Sequence, residues 1–241
     1  YVVVNHSTAL NITSAITIET WIKPSSYTAS GYNHILDKDS SYALSLYNGK
    51  PSLYLLNAGG WWSPSVATLD MFKWYHLVAT YDGTVKKIFL NGTLIAEQNQ
   101  TGLIGTSTFN LGIGARQTGD YKFKGIIDST RIYSRALSAD EILSNYQAGN
   151  IEFQYRVSTD NSTWSNWTSY GTSASDLAWE SFDNPYLYGT TDTGLVAYWP
   201  MDEASGTSVA DVKGSNTGTA TGTKIIDGKY SKARSFNGSS D

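Results

Sequence analysis

The run "KWYHLVATYDGTVKKIFLNGTLIAEQNQ" (73–100) constrains this chain more than any other. Apolar and polar residues alternate, and the alternation is broken twice, at Asp82-Gly83 and Asn91-Gly92. These dipeptides tolerate the positive φ angles of tight hairpin turns, so three consecutive strands are forced antiparallel. The same signal recurs at Asn48-Gly49 in "SYALSLYNGKPSLYLLN". "ITIETWIKP" places Ile16, Ile18, Thr20 and Ile22 on one face and Thr17, Glu19, Trp21 and Lys23 on the other, and Pro24 ends it. "YVVV", "HILDKD", "GWWSPSVATL", "FNLGIGA" and "YKFKGIIDSTRIYSR" read as further strands. Seventeen Tyr, eight Trp and only 16% charged residues suit many short strands joined by polar turns.

One helix interrupts the pattern. "ALSADEILSNYQAG" offers Ser138 as N-cap with Glu141 three residues on, the spacing of a capping box. Leu137 and Ile142 form the staple, Leu143 and Tyr146 are expected to face the core, and Gly149 supplies the stop. Residues 1–149 therefore read as an antiparallel sandwich closed by a short helix near 138–147.

Several function classes are disfavoured at once. A net charge of -4, spread along the chain, provides no basic footprint for nucleic acid. No apolar run approaches the ~20 residues that span a bilayer, and no leader pattern is present, so an export signal would be removed or lie outside this stretch. Cysteine is absent, which excludes disulfides, zinc thiolates and thiol catalysis. Asn5, Asn11, Asn91, Asn99, Asn161, Asn166 and Asn237 each open an Asn-x-Ser/Thr triplet. A chain rich in Asn, Ser and Thr makes such triplets by chance, but seven suit an extracellular or cell-surface glycoprotein.

Three stretches, "ITIETWIKP", "KWYHLVATYDGTVKKIFLNGTLI" and "GIIDSTRIYSRALSADEI", occur in the order found in a known family. Together they resemble the laminin-G-like domain of the concanavalin A-like lectin/glucanase superfamily, across most of residues 1–148. The resemblance implies an all-β, two-sheet jelly roll. Ser129 stands where that family more usually has Glu. "GLVAYWPMDEASGTSVADVKGSNTGTATGTKIIDGKYSKARSFNGSSD" (194–241) is similar to the start of such a domain, so the expected order is permuted. Between them, "IEFQYRVS" and "TWSNWTSY" read as a hairpin within a 150–193 linker region.

Candidate sites follow. Trp61 and Trp62, with Trp74 and Tyr75, could form a sugar-stacking platform, and Trp62 is the leading member. Against this stands the ordinary role of aromatics as cross-strand and core residues. The resemblance implies a structural Ca2+ near Asp128, Asp202, Asp211 and Asp241, with Asp37 and Asp39 as an alternative pair. Each Asp also suits a turn. No paired-carboxylate run for glycoside hydrolysis is found, His6, His34 and His76 stand isolated, and His76 reads as structural, so an enzyme is not expected.

Tyr1 begins where a strand is already running and Asp241 stops as one is about to start. Residues 194–241 could complete the next repeat of a tandem array, a neighbouring subunit, or their own chain. The first two are preferred here, because they leave no unpaired edge once a head-to-tail filament forms. The expected function is then a structural or adhesive unit of an extracellular filament or long surface protein, with identical subunits as partners. The alternative is a carbohydrate-binding module of a secreted glycan-degrading protein, with surface glycans as partners.

Overall fold

Strand formation follows the alternating runs. A computed structural model describes residues 1–28, 31–148, 153–155, 157–159, 162–165, 168–171 and 193–239. The N-terminal strands are β1 (Val2–Val4), β2 (Ile16–Ser26), β3 (Tyr32–Lys38), β4 (Tyr42–Tyr47), β5 (Lys50–Leu55) and β6 (Gly60–Trp62). Next come β7 (Tyr75–Tyr81), β8 (Val85–Leu90), β9 (Thr93–Asn99), β10 (Leu111–Ile113), β11 (Lys124–Tyr133) and the helix α1 (Ala139–Ala148). The remainder are β12 (Phe153–Tyr155), β13 (Thr168–Gly171), β14 (Leu195–Trp199), β15 (Ser208–Val209), β16 (Gly218–Ala220), β17 (Thr223–Asp227) and β18 (Lys232–Asn237).

Two antiparallel sheets result. The first runs β15-β16-β1-β10-β3-β4-β5-β6, and the second β17-β18-β11-β2-β7-β8-β9, with β14 also on β11. The expected hairpins β4–β5, β7–β8 and β8–β9 all form. Asp82 closes its turn by accepting the Thr84 and Val85 N–H groups at 2.8 and 2.7 Å. Between the sheets lies one apolar core, in which Ile16, Ile18 and Ile22 of β2 meet Leu44, Leu46, Leu53 and Leu55 of the facing sheet. Each such side chain, fully buried, contributes about 1.5–3 kcal/mol.

The other face of β2 differs from the polar surface that alternation predicts. Thr17, Glu19 and Trp21 are buried as well, because α1 packs over that face and builds a second small core from Val78, Phe89, Tyr133, Leu137 and Ile142. The capping box is present: Ser138 N–H donates to Glu141 at 2.8 Å and Glu141 N–H to Ser138 Oγ at 3.2 Å. Leu143, expected inside, is exposed, and Asn145 takes the buried position. Gly149 lies outside the described residues.

The C-terminal strands complete the sheets of their own chain. β16 pairs with β1, and β18 and β14 take successive stretches of one edge of β11. Trp199 is fully buried and donates its indole N–H to the Asn216 carbonyl at 2.8 Å. The preferred expectation, strands lent to a neighbour, therefore gives way to self-completion. β1 lies between β10 and β16, and both of its ladders are satisfied within the chain. The predicted hairpin in 150–193 is present as β12–β13.

Candidate functional site

The first sheet carries an aromatic surface on the side away from the core. Leu44, Leu46, Leu53 and Leu55 turn inward, so the intervening positions of β4 and β5 turn outward. Those positions hold Ala43, Ser45 and Ser52, which are too short to fill the face. Trp61 on β6, opposite Tyr54, lies across this shallow floor. Its ring is 4.0 Å from Tyr32 on β3 and nearly parallel to it (24°), 5.1 Å from Tyr54 and 5.5 Å from His34. Tyr47 extends the cluster, 4.8 Å from Tyr32.

A bulge in β3 places a polar group beneath these rings. The register shifts between His34 and Leu36, so Ile35 and Leu36 both enter the core. His34 Nδ1 lies against the Asp37 carboxylate, and both residues are almost fully buried. Arg116, from the loop between β10 and β11, brings Nε within 3.9 Å of both Asp37 and Asp39. Tyr121, from the same loop, stacks on His34 at 4.9 Å and 13°, with the Arg116 guanidinium 4.9 Å from its ring centre. The loop is pinned by the His34 N–H donating to the Tyr121 carbonyl at 2.7 Å. His34 Nε2, Asp37 Oδ1 and Arg116 Nε are buried without a hydrogen-bond partner. Beside them opens a cleft of about 550 Å³, lined in part by Tyr27, Tyr32, Asn33, Asp120, Tyr121 and Lys122.

The predicted platform is split by the sheet. Trp61 sits on the aromatic face, half-buried, whereas Trp62 and Tyr75 pack against the core on the other side. Tyr75 is also held by its hydroxyl, which accepts the Asp70 N–H at 2.9 Å. Trp61 thus replaces Trp62 as the leading member. His34, isolated in sequence, is central, and neither it nor Arg116 carries a local motif.

His76 has the structural role expected of it. Its Nε2 lies 2.8 Å from Glu19 Oε1, Arg131 approaches the same oxygen at 3.4 Å, and Asn145 donates to Oε2 at 3.1 Å. Burial pushes the Glu19 carboxyl up, but the His76 hydrogen bond and the Arg131 charge outweigh it and hold the group below its usual range. This cluster is sealed between β2 and α1.

Of the aspartates expected around a Ca2+, Asp128, Asp202 and Asp211 each accept hydrogen bonds from the protein itself. Asp211 accepts the backbone N–H groups of Tyr198, Lys213, Gly214 and Asn216 at 3.0–3.1 Å, and the Asn216 side chain at 2.8 Å. Asp128 accepts Lys229 N–H at 2.7 Å and Ser129 Oγ–H at 2.9 Å, while Asp202 accepts Lys232 N–H at 2.9 Å. Among the described residues no three acidic or histidine side chains converge as a metal site, and Asp241 lies outside them. Of the sequons, Asn5, Asn99 and Asn237 are exposed and Asn11 is half-buried. Asn91 uses its side chain to accept the His76 N–H at 3.0 Å, and Asn161 and Asn166 fall outside the described residues.

Two antiparallel sheets around a single core, one of them faced with aromatic rings, define a jelly-roll sandwich of the lectin type. A laminin G family model described as the concanavalin A-like lectin/glucanases superfamily matches residues 1–143, and the chain belongs to that superfamily. No curated protein matched the sequence. Among solved structures, a Bacteroides ovatus protein to which carbohydrate binding has been ascribed is 16% identical, with a TM-score of 0.61. The match covers 90% of this chain and 55% of that one, so this chain spans about half its length. Domain 4 of an extracellular arabinanase from Geobacillus stearothermophilus, in complex with arabinotriose, is 22% identical with a TM-score of 0.47, covering 56% of this chain and 68% of that one. A pentraxin from Limulus polyphemus is 16% identical with a TM-score of 0.40, covering 61% and 81%. No helix among the described residues is long and apolar enough to cross a membrane.

Proposed function

We propose that this chain is a non-catalytic carbohydrate-binding domain of an extracellular or cell-surface protein, with Trp61, Tyr32 and Tyr54 as its sugar-stacking platform. One observation carries this reading. Trp61 lies half-buried across a floor of short side chains, 4.0 Å from Tyr32, on the sheet face that the core leaves free. The C–H face of a sugar ring packs on such aromatic surfaces, while neighbouring polar groups fix its orientation. Membership of a superfamily of lectins and glucanases supports the reading, as does the ascribed carbohydrate binding of the Bacteroides ovatus protein with the same fold. Adhesion through glycans fits the same face, whereas the head-to-tail filament would need a free β1 edge that the chain fills itself.

The test is a glycan array followed by calorimetry on Trp61→Ala and Trp62→Ala. Trp61→Ala is expected to weaken binding at least tenfold, equivalent to about 1.4 kcal/mol. Trp62→Ala is expected to lower stability and leave the affinity of the folded protein unchanged. Equal affinities for Trp61→Ala and wild type would overturn the proposal. New reducing ends appearing in the bound glycan would overturn its non-catalytic part.

A further inference from the structure

We infer that His34, Asp37 and Arg116 form a concealed polar subsite for a neutral sugar bearing adjacent hydroxyls, uncovered when the Tyr121 side chain leaves His34. The inference rests on the carbohydrate reading above and adds the ligand's chemistry and its point of entry.

Besides His34 Nδ1, which faces the Asp37 carboxylate, three buried polar atoms that make no hydrogen bond, His34 Nε2, Asp37 Oδ1 and Arg116 Nε, on residues that touch one another, are the starting observation. A buried polar group left unmade costs on the order of 1–3 kcal/mol, and native interiors rarely tolerate one, let alone a group. A ligand that satisfies all three recovers that cost on binding. Their chemistry is mixed. Arg116 Nε is a donor and Asp37 Oδ1 an acceptor. Nδ1 faces the Asp37 carboxylate, and in the tautomer that carries its proton at Nδ1 the other nitrogen, Nε2, is a second acceptor. Hydroxyls both donate and accept, so two on neighbouring carbons can meet this set, one accepting from Arg116 and the other donating to Asp37 or His34.

Charge selects against acidic sugars. The Arg116 guanidinium is already shared between Asp37 and Asp39 at 3.9 Å each. Asp120, Lys122 and Lys124 line the adjoining cleft and, with Asp37, Asp39 and Arg116, sum to no net charge, so the cleft holds no excess of positive charge for an acidic sugar. At the subsite itself a uronate or sulfate would meet two carboxylates, Asp37 and Asp39, whose charge the single Arg116 guanidinium does not fully offset.

Tyr121 occupies the place such a sugar would take. Its ring lies flat on His34, touches Arg116, and is comparable to a pyranose in breadth. The side chain is 48% exposed, and the backbone holds φ at +53°, a conformation that favours glycine. Because the Tyr121 carbonyl is tied to the His34 N–H, the loop stays in place and only the side chain turns, into the cleft that it already lines.

The experiment measures binding of neutral, uronate-containing and sulfated oligosaccharides to wild type, Arg116→Gln, Asp37→Asn, Tyr121→Gly and Trp61→Ala, with circular dichroism confirming each fold. Neutral glycans are expected to bind best. Arg116→Gln and Asp37→Asn should each weaken binding at least tenfold, and Tyr121→Gly should strengthen it severalfold. A glycan lacking one of the adjacent hydroxyls should lose affinity for wild type but not for Arg116→Gln. The subsite is refuted alone if Trp61→Ala loses binding while Arg116→Gln binds as wild type, if acidic glycans are preferred, or if Tyr121→Gly loses binding. If Asp37→Asn does not fold, Arg116→Gln, at a side chain 32% exposed, decides. Absence of any glycan binding by wild type refutes this subsite and the carbohydrate reading together.

Discussion

Asp128 offers a direct test of how burial sets the pH response of this fold. Its carboxyl is 1% exposed, on β11 at the join between the N-terminal strands and the returning C-terminal segment. Burial pushes its pKa up from 3.8 to about 7, against the pull of the Lys229 N–H, and the nearby Asp202 charge adds to the rise. The folded protein therefore prefers a protonated Asp128. The stabilisation from that proton is complete below pH ~4, declines as pH rises, and is gone above about pH 7. A difference of about three pH units at 1.36 kcal/mol each sets the span at roughly 4 kcal/mol. Asp128→Asn mimics the protonated form in shape and retains an acceptor for Lys229 N–H. Urea unfolding of wild type and variant, followed by tryptophan fluorescence from pH 4 to pH 8, isolates this contribution. Subtracting the two curves removes carboxylates that act in the opposite sense, such as Glu19, whose lowered pKa favours folding at higher pH and loses that favour on acidification. The stabilities should nearly coincide near pH 4 and diverge by up to ~4 kcal/mol in the variant's favour near pH 8. A difference that stays flat to within about 0.5 kcal/mol would refute the reasoning, as would a variant that is the less stable at pH 8.

Two further outcomes follow from buried contacts. Lys86 points between the sheets from β8, its pKa depressed by burial to about 8, and donates to the Gly60 carbonyl at 3.1 Å on the edge strand that carries Trp61. Lys86→Met should cost about 1–3 kcal/mol in urea unfolding and speed amide exchange across Gly60–Trp62; unchanged exchange there would remove Lys86 as the tether. Millimolar Ca2+ should move Tm by less than about 1 °C, whereas a rise above about 3 °C that disappears in Asp128→Asn would assign a cation to Asp128 and Asp202.

Much of the fold was legible because its signals are local. Asn-Gly and Asp-Gly turns set the β4–β5, β7–β8 and β8–β9 pairs, and Ser138 with Glu141 set the start of α1. Partner choice for the C-terminal segment was not legible, since the strand that pairs with Val2–Val4 lies more than 200 residues away and many apolar strands would fit. The site was half legible. An aromatic platform near Trp61 could be anticipated, but Gly59-Gly60 obscures the phase of alternation, and one residue of phase decides which tryptophan faces the core. His34, Asp37 and Arg116 could not be grouped, because a bulge in β3 and a loop about 80 residues later bring them together.

Self-completion also bears on how the chain is made. As the polypeptide leaves the ribosome, β1 and β11 must wait for partners at 218–220 and 232–237. Until those arrive, a nearly finished sandwich presents two open ladders and lacks Trp199 from its core. Closing loops of this length makes folding slow, and a nascent chain with bare edges is prone to pair with another copy. A co-translational chaperone, or a slow final docking step seen as burial of Trp199, is the kinetic counterpart of this topology.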